Sequence, residues 1–115
     1  MVDILRGNIV LCDLNPVIGT EQSGIRPVLV VQTDRANKSS PHTIIIPFTT
    51  KIRKAILPSH VLIKADKSNL TQDSVLLCEQ IRVIDKRRII NILGTLNYEY
   101  LSQVNKAISI ILDLQ

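Results

Sequence analysis

The chain has 115 residues, 45% hydrophobic and 21% charged, which fits one folded domain and excludes a disordered chain. Its few aromatic residues, Phe48, Tyr98 and Tyr100, argue against a module that stacks successive bases on aromatic rings. The net charge of +4 is uneven, because residues 1–88 are basic and residues 89–115 slightly acidic. Any polyanion-binding surface is therefore expected in the first three-quarters of the chain, although the charge alone also fits an ordinary solvated surface.

The cysteines and apolar segments indicate the cellular setting. Cys12 and Cys78 form no paired motif, and together with His42 and His60 they lack the spacing of a zinc site. The chain has no signal-peptide core and no apolar stretch near the ~18 residues that span a bilayer. We expect a cytoplasmic protein without a membrane segment, organised as one domain over residues 1–115, with reduced cysteines in its core.

Five apolar runs bounded by turn residues predict β-strands. They cover residues 8–13, 26–32, 43–49, 59–64 and 74–83, and a bend could divide the last. Runs 26–32 and 43–49 are almost wholly apolar, as expected for strands covered on both faces. Pro47 lies inside its run, so that strand should lie at a sheet edge or carry a bulge.

The final third of the chain changes to a helical period. Residues 86–93 are predicted to form a short helix, with Asp85 as its N-cap and Gly94 as its C-cap. A second helix should begin after Asn97, because apolar residues recur there at helical spacing. Short strands followed by a terminal helix favour a mainly β fold, a small antiparallel barrel with a C-terminal α-helix.

Most enzyme signatures are missing from the sequence. It contains no P-loop, no dinucleotide-binding glycine motif, no nucleophile elbow and no zinc-protease motif. The acidic residues are scattered, which argues against a two-metal nuclease. Any hydrolytic chemistry would therefore have to proceed without a metal or a catalytic triad.

One dense polar loop, residues 19–27, directly precedes a predicted buried strand, where binding and catalytic groups often concentrate. If strands 26–32 and 43–49 form an antiparallel hairpin, pairing Gln32 with Thr43 places Arg26 opposite Thr49. The basic loop 50–58 should reach the same end of the sheet. An arginine that binds a phosphate through two hydrogen bonds, with further cations nearby, suits phosphoryl transfer. Taken alone, Arg26 would also fit an ordinary surface salt bridge.

These segments together resemble the MazF/PemK/Kid family of toxin endoribonucleases, the mRNA interferases, and most of all its chromosomal bacterial MazF branch. The resemblance covers nearly the whole chain. Its blocks are RGNIV from Arg6, DLNP from Asp13, GTEQSGIRPVLV from Gly19, LPSHV from Leu57, DSV from Asp73 and EQIRVIDK from Glu79.

The resemblance implies an SH3-like barrel that works as a homodimer and cleaves single-stranded mRNA without a metal or cofactor. Arg26 and Thr49 match the catalytic arginine and threonine of the family, and Glu21 matches a position lining the site. The general base stays open between Glu21 and His60. The RNA-binding residues implied by matching loops are Thr20, Gln22, Lys51, Arg53, Lys54 and Gln80. The expected partner is a MazE-like antitoxin with an acidic C-terminal segment.

Two non-enzymatic functions compete with this hypothesis. A CcdB-like toxin of the same fold would bind a protein target such as gyrase, and it would not need the pair Arg26 and Thr49. A structural SH3-like interaction module is disfavoured, because the sequence offers no aromatic groove for a peptide.

Overall fold

A computed structural model describes residues 3–51, 57–65 and 70–114 of the chain. Its elements in chain order are β1 (Asn8–Asp13), β2 (Ile25–Val30), α1 (Asp34–Ser39), β3 (His42–Thr49), β4 (His60–Ile63), β5 (Ser74–Leu77), a 3₁₀ turn (Cys78–Gln80), β6 (Arg82–Asp85), a second 3₁₀ turn (Lys86–Arg88), β7 (Ile89–Thr95) and α2 (Tyr98–Ile111). The predicted mainly β, antiparallel architecture with a C-terminal helix is confirmed.

The strands form a seven-stranded antiparallel sheet in the order β4-β5-β3-β2-β1-β7, and β6 also pairs with β3. Strand β3 is central to this arrangement. It pairs with β2 on one side, and on the other with β6 near its start and with β5 at Phe48 and Thr49. On that side, β3 therefore changes its partner along its length, from β6 at its start to β5 at its end.

Both faces of the central strands are buried, as the apolar runs predicted. Ile9, Leu29 and Ile46 join one core cluster, to which α2 contributes Val104 and Ala107. Their chain neighbours on the opposite face join a second cluster, which includes Val10, Val28, Val30 and Ile45. Successive strand residues point to opposite faces, so two cores are filled from one continuous apolar run.

The prediction of a helix over residues 86–93 is wrong. Asp85 does cap the segment, since its side chain accepts a hydrogen bond from the Arg87 N–H, but only the 3₁₀ turn Lys86–Arg88 follows. From Ile89 the chain becomes β7 and pairs with β1, a partner far away in sequence. Tertiary pairing of β-branched residues here overrides a local capping signal.

Two further differences from the predicted elements concern β3 and the connection before it. The connection before β3 contains the six-residue helix α1, where the sequence predicts only a loop. Pro47 lies in a central strand rather than at an edge, at the point where the partner changes from β6 to β5. The bend expected within the run 74–83 is the 3₁₀ turn Cys78–Gln80, which divides the run into β5 and β6.

The predicted C-terminal helix is confirmed as α2. Its N-cap is Asn97, whose side chain accepts a hydrogen bond from the Tyr100 N–H. Within residues 3–51, 57–65 and 70–114, no helix is long and apolar enough to cross a membrane.

Candidate functional site

The loop between β1 and β2 is held by bonds within itself. The Leu14 N–H donates to the Gly24 carbonyl at 3.0 Å, and the Gly24 N–H donates to Asn15 Oδ1 at 3.1 Å. Gly24 has a φ of +80°, which glycine adopts without strain. The Ile18 N–H donates to Glu21 Oε1 at 3.0 Å. The loop therefore reaches the start of β2 in a defined conformation, directly before Arg26.

The guanidinium of Arg26 is half-buried and is held on two of its three nitrogens. Nε donates to the Ser23 carbonyl at 2.7 Å, and Nη1 donates to the Phe48 carbonyl at 3.2 Å and to Gln22 Oε1. Among the described residues no acceptor meets Nη2. The protein fixes Nε and Nη1, and the two N–H groups of Nη2 remain available for a ligand.

Thr49 ends β3 beside this guanidinium. The three residue pairs between β2 and β3 keep the predicted register, and the bond from Arg26 to the Phe48 carbonyl continues the contact to the next residue of β3. Thr49 is 7% exposed, and its Oγ1 accepts a hydrogen bond from the Lys51 N–H at 3.2 Å. The hydroxyl proton of Thr49 is thus left to donate elsewhere.

Two pockets lie at this site, one lined in part by Arg26 and the other lined in part by Gln22. A mostly apolar pocket of about 350 Å³ is lined by Arg26, Pro27, Phe48, Thr50, Leu70, Thr71, Gln72, Ser74 and Leu93. A second pocket, of about 240 Å³, is named the polar pocket because five of its eight lining residues are polar or charged. It is lined by Leu14, Glu21, Gln22, Pro47, Glu79, Gln80, Ile81 and Arg82. The apolar pocket was not predicted, because its walls come from four separate segments of the chain.

The polar pocket brings together three of the predicted site residues: Glu21, Gln22 and Gln80. Gln80 Oε1 accepts the Gln22 N–H at 2.9 Å, which joins the loop to the 3₁₀ turn. Glu21 makes no hydrogen bond or ion pair with Arg26 or Thr49 in the described part of the chain. The carboxylate therefore lies beside the predicted catalytic pair rather than in contact with it.

The remaining predicted RNA-binding residues lie at the periphery or outside the described ranges. Thr20 and Lys51 are exposed, the first in the loop before Glu21 and the second directly after the end of β3. Arg53 and Lys54 lie outside the described residues.

His60 lies on β4, and both of its ring nitrogens are engaged. Nδ1 accepts the Leu57 N–H at 3.2 Å, and Nε2 lies 2.9 Å from Glu79 Oε2. Ser59 Oγ donates to the other oxygen of Glu79 at 3.2 Å. Glu79 and Ser59 were not among the predicted site residues, although both belong to the sequence blocks EQIRVIDK and LPSHV that carry the family resemblance.

The two cysteines are core residues, as predicted. Burial raises the pKa of the Cys12 thiol to about 11 and that of Cys78 to about 12. Both stay protonated near neutral pH, and a thiol is a weak nucleophile compared with a thiolate. No group of three or more His, Cys, Asp or Glu side chains in the described ranges is arranged to hold a metal ion.

Comparison with known proteins identifies the family. The family model described as "PemK-like, MazF-like toxin of type II toxin-antitoxin system" matches residues 5–112. The chain belongs to this family. It is 45% identical over 111 residues to Endoribonuclease EndoA of Bacillus subtilis, covering 96% of both chains. It is 48% identical over 109 residues to Endoribonuclease MazF of Staphylococcus saprophyticus, covering 95% of this chain and 91% of the relative.

Solved structures of MazF proteins share the fold of this family member. The crystal structure of MazF from Deinococcus radiodurans superposes with a TM-score of 0.83 at 24% identity, covering 98% of this chain and 99% of that one. An endoribonuclease in complex with its cognate antitoxin from a mycobacterial species gives 0.81 at 23% identity, covering 97% of each chain.

Proposed function

We propose that the chain is the toxin of a type II toxin–antitoxin system, an endoribonuclease that cleaves single-stranded mRNA at a short sequence in the cytoplasm. Family membership and two relatives named endoribonucleases support this function. The observation that carries it is the guanidinium of Arg26, whose Nε and Nη1 are held by Ser23, Gln22 and Phe48 and whose Nη2 meets no acceptor among the described residues. A guanidinium presented in this way suits one oxygen of a phosphodiester.

The reaction requires no nucleophile from the protein. The 2′-oxygen of the substrate forms a bond to the adjacent phosphorus, and the bond from phosphorus to the 5′-oxygen breaks. The proton of the 2′-OH goes to a base, and the leaving oxygen gains a proton, so that a 2′,3′-cyclic phosphate and a 5′-OH result. Arg26 stabilises the charge that grows on the phosphoryl oxygens, and the Thr49 hydroxyl donates to a non-bridging oxygen or orients the 2′-OH.

Glu21 is the better candidate for the general base of this reaction. Its Oε1 accepts the Ile18 N–H, which leaves Oε2 to take a proton. His60, by contrast, has both ring nitrogens bonded, to Leu57 and to Glu79. A histidine in this arrangement has no free lone pair for a substrate proton.

Base recognition is assigned to the polar pocket, where Gln22 and Gln80 present amide groups beside Glu21. Amide and carboxylate groups can read the edges of unstacked bases, which single-stranded RNA exposes. Thr20, Lys51, Arg53 and Lys54 would contact the RNA backbone around the pocket. Their contribution should weaken with added salt, as phosphate contacts do.

We assign a homodimer and a MazE-like antitoxin with an acidic C-terminal segment as the protein partners. A related endoribonuclease has been solved with its cognate antitoxin, which supports the second assignment. An acidic segment would compete with RNA phosphates for Arg26 and the basic residues after β3.

The decisive experiment incubates the chain with a long unstructured RNA in excess EDTA and maps the ends of the fragments. We expect cuts at one short sequence, 2′,3′-cyclic phosphate ends, and no cut where the scissile nucleotide lacks its 2′-OH. RNA that stays intact under all buffer conditions would overturn the proposed function. Cleavage that requires a divalent metal, or that tolerates the 2′-deoxy nucleotide, would overturn the mechanism.

A further inference from the structure

The carboxylate of Glu79 is held by two side chains from the start of β4. Ser59, which is buried, donates its hydroxyl to Oε1 at 3.2 Å, and His60 Nε2 lies 2.9 Å from Oε2. Both oxygens of one carboxylate are therefore engaged by two neighbouring residues, one directly before β4 and one at its first position. An exposed glutamate with no role beyond solubility would need neither contact.

The tautomer of His60 follows from its second contact. Because the Leu57 N–H donates to Nδ1, this nitrogen must be the acceptor, and in the neutral ring the proton sits on Nε2. Nε2–H then donates to Glu79. The ring is oriented from both ends, so it presents a donor to the carboxylate in one defined direction.

The 3₁₀ turn that carries Glu79 also carries Gln80. This turn is fixed at its start by the bond from the Cys78 N–H to the Ser59 carbonyl at 3.1 Å. Gln80 leaves the turn toward the β1–β2 loop, where its Oε1 accepts the Gln22 N–H at 2.9 Å. Gln22 in turn accepts a hydrogen bond from Arg26. A continuous series of bonds thus runs from His60 to the guanidinium.

We propose that Glu79 is a positioning residue for RNA recognition, which holds Gln80 and, through it, Gln22 at the polar pocket. This inference rests on the proposed endoribonuclease function. Glu79 acts by keeping the adjacent amide in the orientation that a base requires. Misplacing a recognition group by about 1 Å can lower the rate up to 10²-fold.

The test replaces Glu79 with glutamine, which keeps the size of the side chain but has a single oxygen acceptor. If His60 keeps the remaining oxygen, the Ser59 hydroxyl has to accept from the new amide instead of donating, and both contacts lose the carboxylate charge that strengthens them, so the turn is held less firmly. We expect Glu79→Gln to lower kcat/KM about tenfold on a short RNA containing the preferred site, with a raised KM. The preference for that RNA over its single-base variants should fall as well. Glu99→Gln, the same change at an exposed position in the first turn of α2, is the matched control.

Two variants of His60 test the same series of bonds from its other end. Glutamine at position 60 can place an amide N–H near the position of Nε2, whereas alanine cannot, so His60→Gln should keep more of the base preference than His60→Ala. If the Glu79 variant does not fold, this pair alone decides the inference.

Two results would overturn it. A merely structural role predicts a lower kcat with an unchanged KM and an unchanged preference among RNAs, because fewer molecules are active but each is normal. Equal base preference in the two His60 variants would also contradict it. A wild-type chain that leaves RNA intact would overturn the proposed function first, and the role of Glu79 with it.

Discussion

Replacing Arg26 with alanine removes a guanidinium whose Nη2 group meets no acceptor among the described residues and can donate to a phosphate. Three acceptors, on Ser23, Gln22 and Phe48, hold its Nε and Nη1 groups, so the open Nη2 edge is oriented before substrate arrives. Removing one such donor to a developing oxyanion typically costs 10²–10³ in kcat, or about 2.7–4 kcal/mol. We expect Arg26→Ala to fall in this range. Arg26→Lys should recover only part of the loss, because an ammonium group keeps the charge but lacks the planar fork.

The assay is single-turnover cleavage of a short labelled RNA with enzyme in excess, so that the rate reports the chemical step. Arg35→Ala is the matched control, since it removes an exposed arginine from α1. Thermal melting of each variant establishes that the fold is retained.

Combining Arg26→Ala with Thr49→Val tests whether both side chains act on one phosphate. If they do, the fold-loss in rate of the double variant should be smaller than the product of the two single fold-losses. Once one side chain is gone the phosphate is no longer held in position, so the remaining side chain contributes less. Arg26→Ala within about threefold of wild type would refute the catalytic assignment. Fully multiplicative losses would refute the shared phosphate.

Three predictions concern stability. Leu76 is fully buried, and Leu76→Ala should lower the free energy of unfolding in urea by about 2–5 kcal/mol, so a loss below about 1 kcal/mol would contradict the assigned core. Asn97→Ala removes the N-cap of α2 and should cost about 1 kcal/mol in the same titration, whereas Asn97→Ser should not. Bonds from the side chain and backbone N–H of Arg87 lower the pKa of Asp85 from 3.8 to about 2, so its stabilising effect is complete above pH 3.8 and lost as the pH falls toward 2. The melting temperatures of wild type and Asp85→Asn should therefore differ at pH 6 and converge near pH 2.

Local patterns were sufficient to predict the regions of β1 to β6 and the register of the β2–β3 pair, but not β7. The register follows from pairing Gln32 with Thr43, the polar residues at the adjoining ends of the two apolar runs, because antiparallel partners keep a constant index sum. From the sequence alone, the same register places Arg26 opposite Thr49, the residue predicted to end the next strand. The cap at Asn97 was readable because an N-cap depends on groups only three residues away.

Features that depend on distant partners could not be read in this way. Residues 89–95 have a cap before them and a glycine within them, but their conformation is decided by pairing with β1. The bonds of Glu79 to Ser59 and His60 join positions about twenty residues apart through two strands. The six residues of α1, five of them polar, carry no apolar period from which a helix could be predicted.

The bond from Arg26 Nη1 to the Phe48 carbonyl has a practical consequence for trapping a substrate complex. Beyond the last paired residues of β2 and β3, this side chain connects the two strands. A catalytically dead chain made by removing Arg26 would thus also loosen the end of the sheet on which RNA is expected to lie. Crystallographers who want an inert chain with an undistorted cleft should alter Thr49 instead, and hydrogen exchange at the end of β3 would show the difference between the two choices.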